Sequence, residues 1–214
     1  MTHLQPDCRI YLVVEATPAA VEHLTAATEV ADVACCLIVP ATGATIEAAA
    51  ARPLVARVQQ AGAAALLADA SDLVRTLRAD GVHLSPTRHL LEAYGAARQT
   101  LGRDAIVGAD VAISRHDAMS LAEAGADYIA FGAPAQLKDR ARARERRDDL
   151  VSWWGDIFEI PCVALDVEEP AEAERLARAG ANFVAVTVPG HSAATTRALL
   201  EKINAAIAST AAAG

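Results

Sequence analysis

The chain reads as an α/β protein folded as a single (β/α)8 barrel, and three observations carry that reading. Short apolar runs rich in β-branched residues alternate eight times with longer helical stretches. Helical stretches close on Gly62, Gly102, Gly125 and Gly180, the residue type that ends helices most cheaply. One phrase recurs: Ala79-Asp80-Gly81-Val82-His83-Leu84-Ser85 is echoed by Gly125-Ala126-Asp127-Tyr128-Ile129-Ala130-Phe131-Gly132. Each is a helix end, an Asp or Asp-Gly step and a short buried strand. A doubly wound sheet is the rival arrangement.

The elements follow in order. Strand one is Arg9 to Glu15, and Thr17-Pro18 supplies an N-cap and first-turn proline for a helix reaching about Ala31. Asp32 to Pro40 is a continuous apolar strand of the kind buried on both faces of a parallel sheet. Thr45 to Ala61 is its helix. Ala64 to Asp69 and Ser71 to Arg78 form the third unit, Gly81 to Leu84 and Arg88 to Leu101 the fourth, Ala105 to Asp110 and Ser114 to Ala124 the fifth. After strand six, Tyr128 to Gly132, the pattern lapses into the basic run Lys138 to Arg147, and a helix is expected near Asp148 to Phe158. Cys162 to Asp166 with Pro170 to Ala179, then Phe183 to Val188 with Ser192 to Ala208, complete eight units. The expectation is one TIM-barrel domain over 1–208 and a frayed tail over 209–214.

With 214 residues, 53% of them hydrophobic, the chain can bury one large core. A net charge of -8 argues against nucleic acid, whose phosphates need a basic face, and favours a small-molecule ligand. No run reaches the roughly 18 apolar residues of a membrane span, and the first residues lack a signal-peptide pattern, so a cytoplasmic protein without a membrane partner is expected. Cys8, Cys35, Cys36 and Cys162 lack metal-ligand spacing and read as reduced core residues.

Chemistry in such a barrel sits at the C-terminal ends of the strands. There the odd strands end in Glu15, Asp69, Asp110 and Asp166, and the even strands run into Pro40, Pro86, Pro134 and Pro189. Alternate strands share a layer, so the four carboxylates are candidates to face one another across the mouth, where Mg²⁺ or a cationic ligand would offset their repulsion. The competing reading is that each caps its own turn. The basic run, with Lys138, Arg140 and Arg142, is a candidate to close over a phosphate or diphosphate; alternatively it is a solvated helix start whose arginines pair with Asp139, Glu145, Asp148 and Asp149. His191, beside Gly190 and Ser192, is a candidate anion holder at the last helix start. His83 is expected to pack in the core. Trp153 and Trp154 are adjacent on a helix and cannot both face inward, so one is expected to serve a contact in a homodimer.

These residues resemble the thiamine-phosphate synthases. The resemblance rests on Ile10-Tyr11-Leu12-Val13, Leu66-Leu67-Ala68-Asp69 with Asp72-Leu73, Ala79 to Leu84, Gly125 to Gly132 and Ile160-Pro161-Cys162-Val163-Ala164. It implies a (β/α)8 fold and a role in thiamine biosynthesis, joining hydroxymethylpyrimidine diphosphate to a thiazole phosphate with release of diphosphate and with Mg²⁺ assisting. By resemblance Asp69 is the metal carboxylate and Lys138 the catalytic lysine of the strand-six loop. Glu15, Asp110, Asp166, Arg140, Arg142 and His191 are the remaining substrate-binding candidates.

The departures fall on the chemistry. The Gln-x-Arg-x-Lys motif of the family at the end of strand two is replaced by Cys36-Leu37-Ile38-Val39-Pro40, which has no cation. The Asn-Asp pair survives as Ala68-Asp69. Ser85-Pro86-Thr87-Arg88 stands where the family has Gly-Gln-x-Asp, so a metal carboxylate has become a cation. Asp110 replaces a serine, and the Gly-Gly after strand seven is lost near Asp166-Val167. A carboxylate set against a phosphate costs roughly a few kcal/mol at a partly exposed site. Weak or absent synthase activity is therefore expected. The alternative is a non-catalytic or repurposed barrel that binds a metal or cationic small molecule at its acidic mouth; a third reading is another metal-assisted enzyme built on the carboxylates.

Overall fold

A computed structural model of the chain describes residues 8–41, 44–133, 138–188 and 192–211. Eight parallel strands close into a barrel in the order β1 to β8. They are β1 (Arg9–Glu15), β2 (Val33–Val39), β3 (Ala64–Ala68), β4 (Gly81–Leu84), β5 (Ile106–Asp110), β6 (Tyr128–Phe131), β7 (Cys162–Ala164) and β8 (Phe183–Thr187). The helices are α1 (Ala20–Thr28), α2 (Ala48–Gln60), α3 (Ser71–Leu77), α4 (Leu90–Leu101), α5 (Arg115–Glu123), α6 (Arg140–Ile157), α7 (Pro170–Arg178) and α8 (Ala193–Ala211). The doubly wound alternative is excluded because each strand pairs with the next in sequence and β8 pairs back onto β1, leaving no open edge.

Strand alternation divides the apolar residues into two layers. Ile10, Leu12, Cys36, Ile38, Leu67 and Val184 pack outward with the helices, together with Leu24, Leu54 and Trp154. Tyr11, Leu37, Leu66, Tyr128, Ala130, Val163 and Ala185 fill the barrel interior. Adjacent Cys35 and Cys36 fall on opposite layers as the period of two requires, and all four cysteines are free thiols. His83 is buried, as expected for a core residue. Gly108 is required opposite Tyr128: any Cβ there would overlap the tyrosine ring.

Four local differences have identifiable causes. α1 starts at Ala20 because Thr17 to Ala19 form a turn, with the Ala20 N–H donating to the Thr17 carbonyl, so Thr17 is not the cap. α8 continues through Ser209 and Thr210 to Ala211, the two hydroxyls donating to the carbonyls of Ala206 and Ile207. β3 and β7 end at Ala68 and Ala164, before their terminal carboxylates. The largest difference is α6, which begins at Arg140 instead of near Asp148. The Asp139 carboxylate accepts from the Arg142 N–H at 3.0 Å and caps the helix, and arginine propagates a helix well once it is started.

Of the two tryptophans, Trp154 is fully buried and stacks on Phe158. Trp153 is half-buried and covered by the Arg115 guanidinium, 4.5 Å from its ring centroid.

Candidate active site

The mouth is built by the residues that follow the strands. Glu15 and Asp69 are exposed, whereas Asp110 and Asp166 are half-buried. Asp69 lies one residue past β3 in the left-handed region, φ 52°, a conformation that aspartate tolerates better than most side chains. Its Oδ1 accepts from the Ser85 N–H at 2.8 Å, tying the end of β3 to the loop after β4. Asp166 is also left-handed, φ 60°, and its Oδ2 accepts from the Ala133 N–H at 3.1 Å.

Asp110 ends β5 and turns into the barrel. Its Oδ1 accepts from the Ala112 N–H at 2.6 Å, and its carboxyl lies against Gly132, where an added Cβ would stand 3.5 Å from either oxygen and 3.3 Å from Leu165. Burial in this setting pushes its pKa up to about 7; the Ala112 N–H opposes the rise and the negative charge of Asp166 adds to it. Its acid form, which burial favours, is a hydroxyl donor.

The Asp110 and Asp166 carboxyls thus meet neighbouring residues of the segment after β6, Gly132 and Ala133, while Glu15 and Asp69 stand at the exposed rim. Among the described residues no three His, Cys, Asp or Glu side chains converge as metal ligands, so a four-carboxylate ring does not form. Asp69 is a single exposed carboxylate with one oxygen engaged, a set that suits an ion brought in with phosphate oxygens better than a dedicated cage.

The basic run divides into two faces. Arg140 donates to the Ala133 carbonyl at 2.9 Å, and Arg144 pairs with Glu168 at 2.6 Å. Arg147 is completely buried: it reaches Glu172 at 2.6 Å, Asp148 at 2.7 Å and the Leu165 carbonyl at 2.7 Å. It thereby clamps the segment that carries Asp166. Lys138 and Arg142 are exposed on another face. His191, Pro134 and Pro189 lie outside the described residues.

Two features escaped the sequence. Ala143, Leu150, Val151 and Trp154 form the buried stripe of α6, and Arg147 falls in its middle; the 3.6-residue period would have revealed it had the helix been started at Asp139. The other is the interior cluster of Tyr11, His83 and Tyr128. The Tyr11 hydroxyl lies 3.1 Å from that of Tyr128 and 3.2 Å from His83 Nδ1. Inward alternation predicts each ring's direction, but only barrel closure joins strands one, four and six.

Comparison with known proteins matches this architecture. A family model described as thiamine monophosphate synthase matches residues 10–188. A thiamine-phosphate synthase of Erythrobacter litoralis is 40% identical over 161 residues, covering 73% of this chain and 74% of that one. One of Rhodospirillum centenum is 36% identical over 192 residues, 84% of this chain and 87% of its own. Among solved structures, a thiamine phosphate pyrophosphorylase from Pyrococcus furiosus superposes with a TM-score of 0.76 at 20% identity, covering 97% of this chain and 98% of that one.

Proposed function

Because the chain belongs to the thiamine monophosphate synthase family, we propose that it acts in thiamine biosynthesis, joining hydroxymethylpyrimidine diphosphate to a thiazole phosphate with release of diphosphate. The observation that carries this reading is Asp69. It stands at the end of β3 in a left-handed turn, with its carboxylate held by the Ser85 N–H and still open to solvent. In this reading Asp69 holds the Mg²⁺ that accompanies the diphosphate, and that ion supplies charge neutralisation of the leaving group. Asp110 in its acid form donates to substrate, Asp166 fixes the loop after β6, and Lys138 faces the diphosphate.

Transfer is slow, because the mouth at the end of β2 finishes in half-buried, uncharged Val39 and holds no cation for the diphosphate there. Glu15, Arg142 and His191 line the approach, while Arg140 supports the Ala133 turn. The ligand is a small molecule, and two copies of the chain associate in the cytoplasm. No helix among the described residues is long and apolar enough to cross a membrane.

The test is to incubate the protein with both substrates and Mg²⁺, beside an active relative, and to measure thiamine phosphate. Product formed slowly by the wild type and abolished in Asp69→Asn supports the reading; no product from folded protein overturns it. A second reading, a cationic ligand held in the mouth, is favoured by one observation, the Asp110 and Asp166 carboxyls set against the neighbouring Gly132 and Ala133. It predicts that an organic ammonium ligand raises the melting temperature of the wild type but not of Asp110→Asn.

A further inference from the structure

Of the three large apolar side chains that stand exposed among the described residues, two lie on neighbouring helices: Met119 of α5 and Ile157 of α6, 43% and 64% exposed. The Arg115 guanidinium, 4.5 Å from the centroid of the Trp153 ring, shows how the two helices sit side by side. Both run in the same direction, as helices between parallel strands must, so one turn beyond this contact Met119 follows Arg115 and Ile157 follows Trp153. Met119 and Ile157 therefore share one level of the outer wall. The Trp153 ring above them also meets Phe158, at 5.3 Å between centroids. The result is an apolar seam that faces solvent instead of the core.

The charges beside this seam are set against their own helix. Arg115 is the first residue of α5 and Glu123 the last, with Met119 midway between them. All three are exposed, and at intervals of four residues they form one stripe. The start of a helix carries partial positive charge and its end partial negative charge, so the dipole opposes a cation at the start and an anion at the end. Among the described residues neither Arg115 nor Glu123 makes an ion pair. A second α5 laid antiparallel on the first answers each of these features. About a two-fold axis at the level of Met119, that residue meets its own copy, Arg115 meets the partner's Glu123, and Glu123 meets the partner's Arg115. The start of each α5 then stands beside the end of the other, so the dipoles attract as well. Any other partner would have to supply both charges and the apolar centre in this order, and the chain itself carries them.

We propose that the α5–α6 seam is an isologous interface between two copies of this chain, with Met119 and Ile157 packed at the two-fold axis and reciprocal Arg115–Glu123 ion pairs on either side. α6 meets α6 in the same antiparallel sense, so Ile157 approaches its copy at the level where Met119 does. This interface rests on the association of two copies given above. It is independent of the transfer reaction, because the seam lies on the outer wall of the barrel and not at its mouth.

The experiment is analytical ultracentrifugation of the full chain over a range of concentrations at low salt. The variants are Arg115→Glu, Glu123→Arg, the double variant carrying both changes, and Met119→Asp/Ile157→Asp. Each charge reversal agrees with the α5 dipole and every changed residue is exposed, so the variants should fold, and circular dichroism checks that they do. The expected result is a wild-type dimer whose dissociation constant rises about tenfold or more in either single reversal and recovers largely in the double variant, where the pairs form again with signs exchanged. The aspartate pair should be monomeric. Equal dissociation constants in the wild type and both single reversals overturn the interface and place the dimer on another face. A double variant no tighter than the single reversals overturns the antiparallel pairing. A wild type that stays monomeric at every concentration overturns the interface and the association together. None of these outcomes depends on whether thiamine phosphate is formed.

Discussion

The Tyr128 hydroxyl lies 2.7 Å from His83 Nδ1 inside the closed barrel, with the two rings stacked at a centroid distance of 5.8 Å. With Nδ1 of a neutral imidazole as acceptor, Tyr128 donates to Nδ1 and Tyr11 donates to the Tyr128 oxygen, so one proton arrangement serves the two shortest contacts of the cluster. A cluster of this kind holds β1, β4 and β6 to one another by polar contacts in an interior otherwise filled by aliphatic side chains.

Burial holds the His83 pKa down at about 4, partly offset by the negative charge of Asp69. Between about 6.5 and about 4 the unfolded chain takes up a proton that the folded chain refuses, so stability falls as pH falls through that window. The contribution lost is on the order of 3 kcal/mol. Urea unfolding of the wild type from pH 7 to pH 4 should show this slope, and His83→Gln should flatten it while lowering stability at pH 7 by about 1–3 kcal/mol through disruption of the cluster. An unchanged slope in the variant would mean that His83 titrates normally.

Asp110 acts in the opposite direction. Its folded pKa of about 7 lies above the ordinary carboxylate value, so the folded state retains a proton that the unfolded chain gives up. Its stabilising effect is complete at low pH and is lost as pH rises from about 4 to about 7, by roughly 4 kcal/mol at most. Asp110→Asn, which cannot ionise, should therefore melt higher than the wild type at pH 8 and gain little at pH 4.5. If Asp110 also donates to substrate, synthase activity should decline above neutral pH in the wild type, and this decline should be absent in Asp110→Ser. Parallel melting curves for wild type and Asp110→Asn across this range would refute the proposed protonation.

Arg147 is fully buried beside Glu172, which is 7% exposed, and Glu172 Oε2 also accepts from the Glu168 N–H at 3.0 Å. Removing one partner strands the other's charge in the interior, so Arg147→Ala should cost about 3–5 kcal/mol. The double variant Arg147→Met/Glu172→Leu should recover much of that loss. Chemical denaturation of the four-protein cycle measures the coupling, and strict additivity of the two single losses would exclude the pair as a unit. The double variant also releases the β7–α7 segment, so its diphosphate and substrate affinities report whether the clamp positions Asp166.

The order of the elements was legible because each βα unit carries its own local cues. An apolar run followed by a helix closing on Gly62, Gly102, Gly125 or Gly180 is informative without reference to the rest of the chain, and those glycines do adopt positive φ. Helix starts were less legible. Thr17-Pro18 has the chemistry of a cap but forms a turn, and the charged residues from Arg140 onward hid a helix whose buried face is sparse at its beginning.

The sequence by itself determined the repeat, the parallel barrel, the apolar layers and the placement of acidic residues at the strand ends, because periodicity and chain reversal depend on neighbouring residues. Only the tertiary structure decided which charges meet. Whether Asp110 turns to Gly132 while Asp69 turns to Ser85, and whether Arg147 is buried while Arg146 is exposed, depends on strand length, shear and helical phase. A single residue of register turns a side chain from the mouth to the wall, and desolvation then sets whether a carboxyl is an anion or an acid.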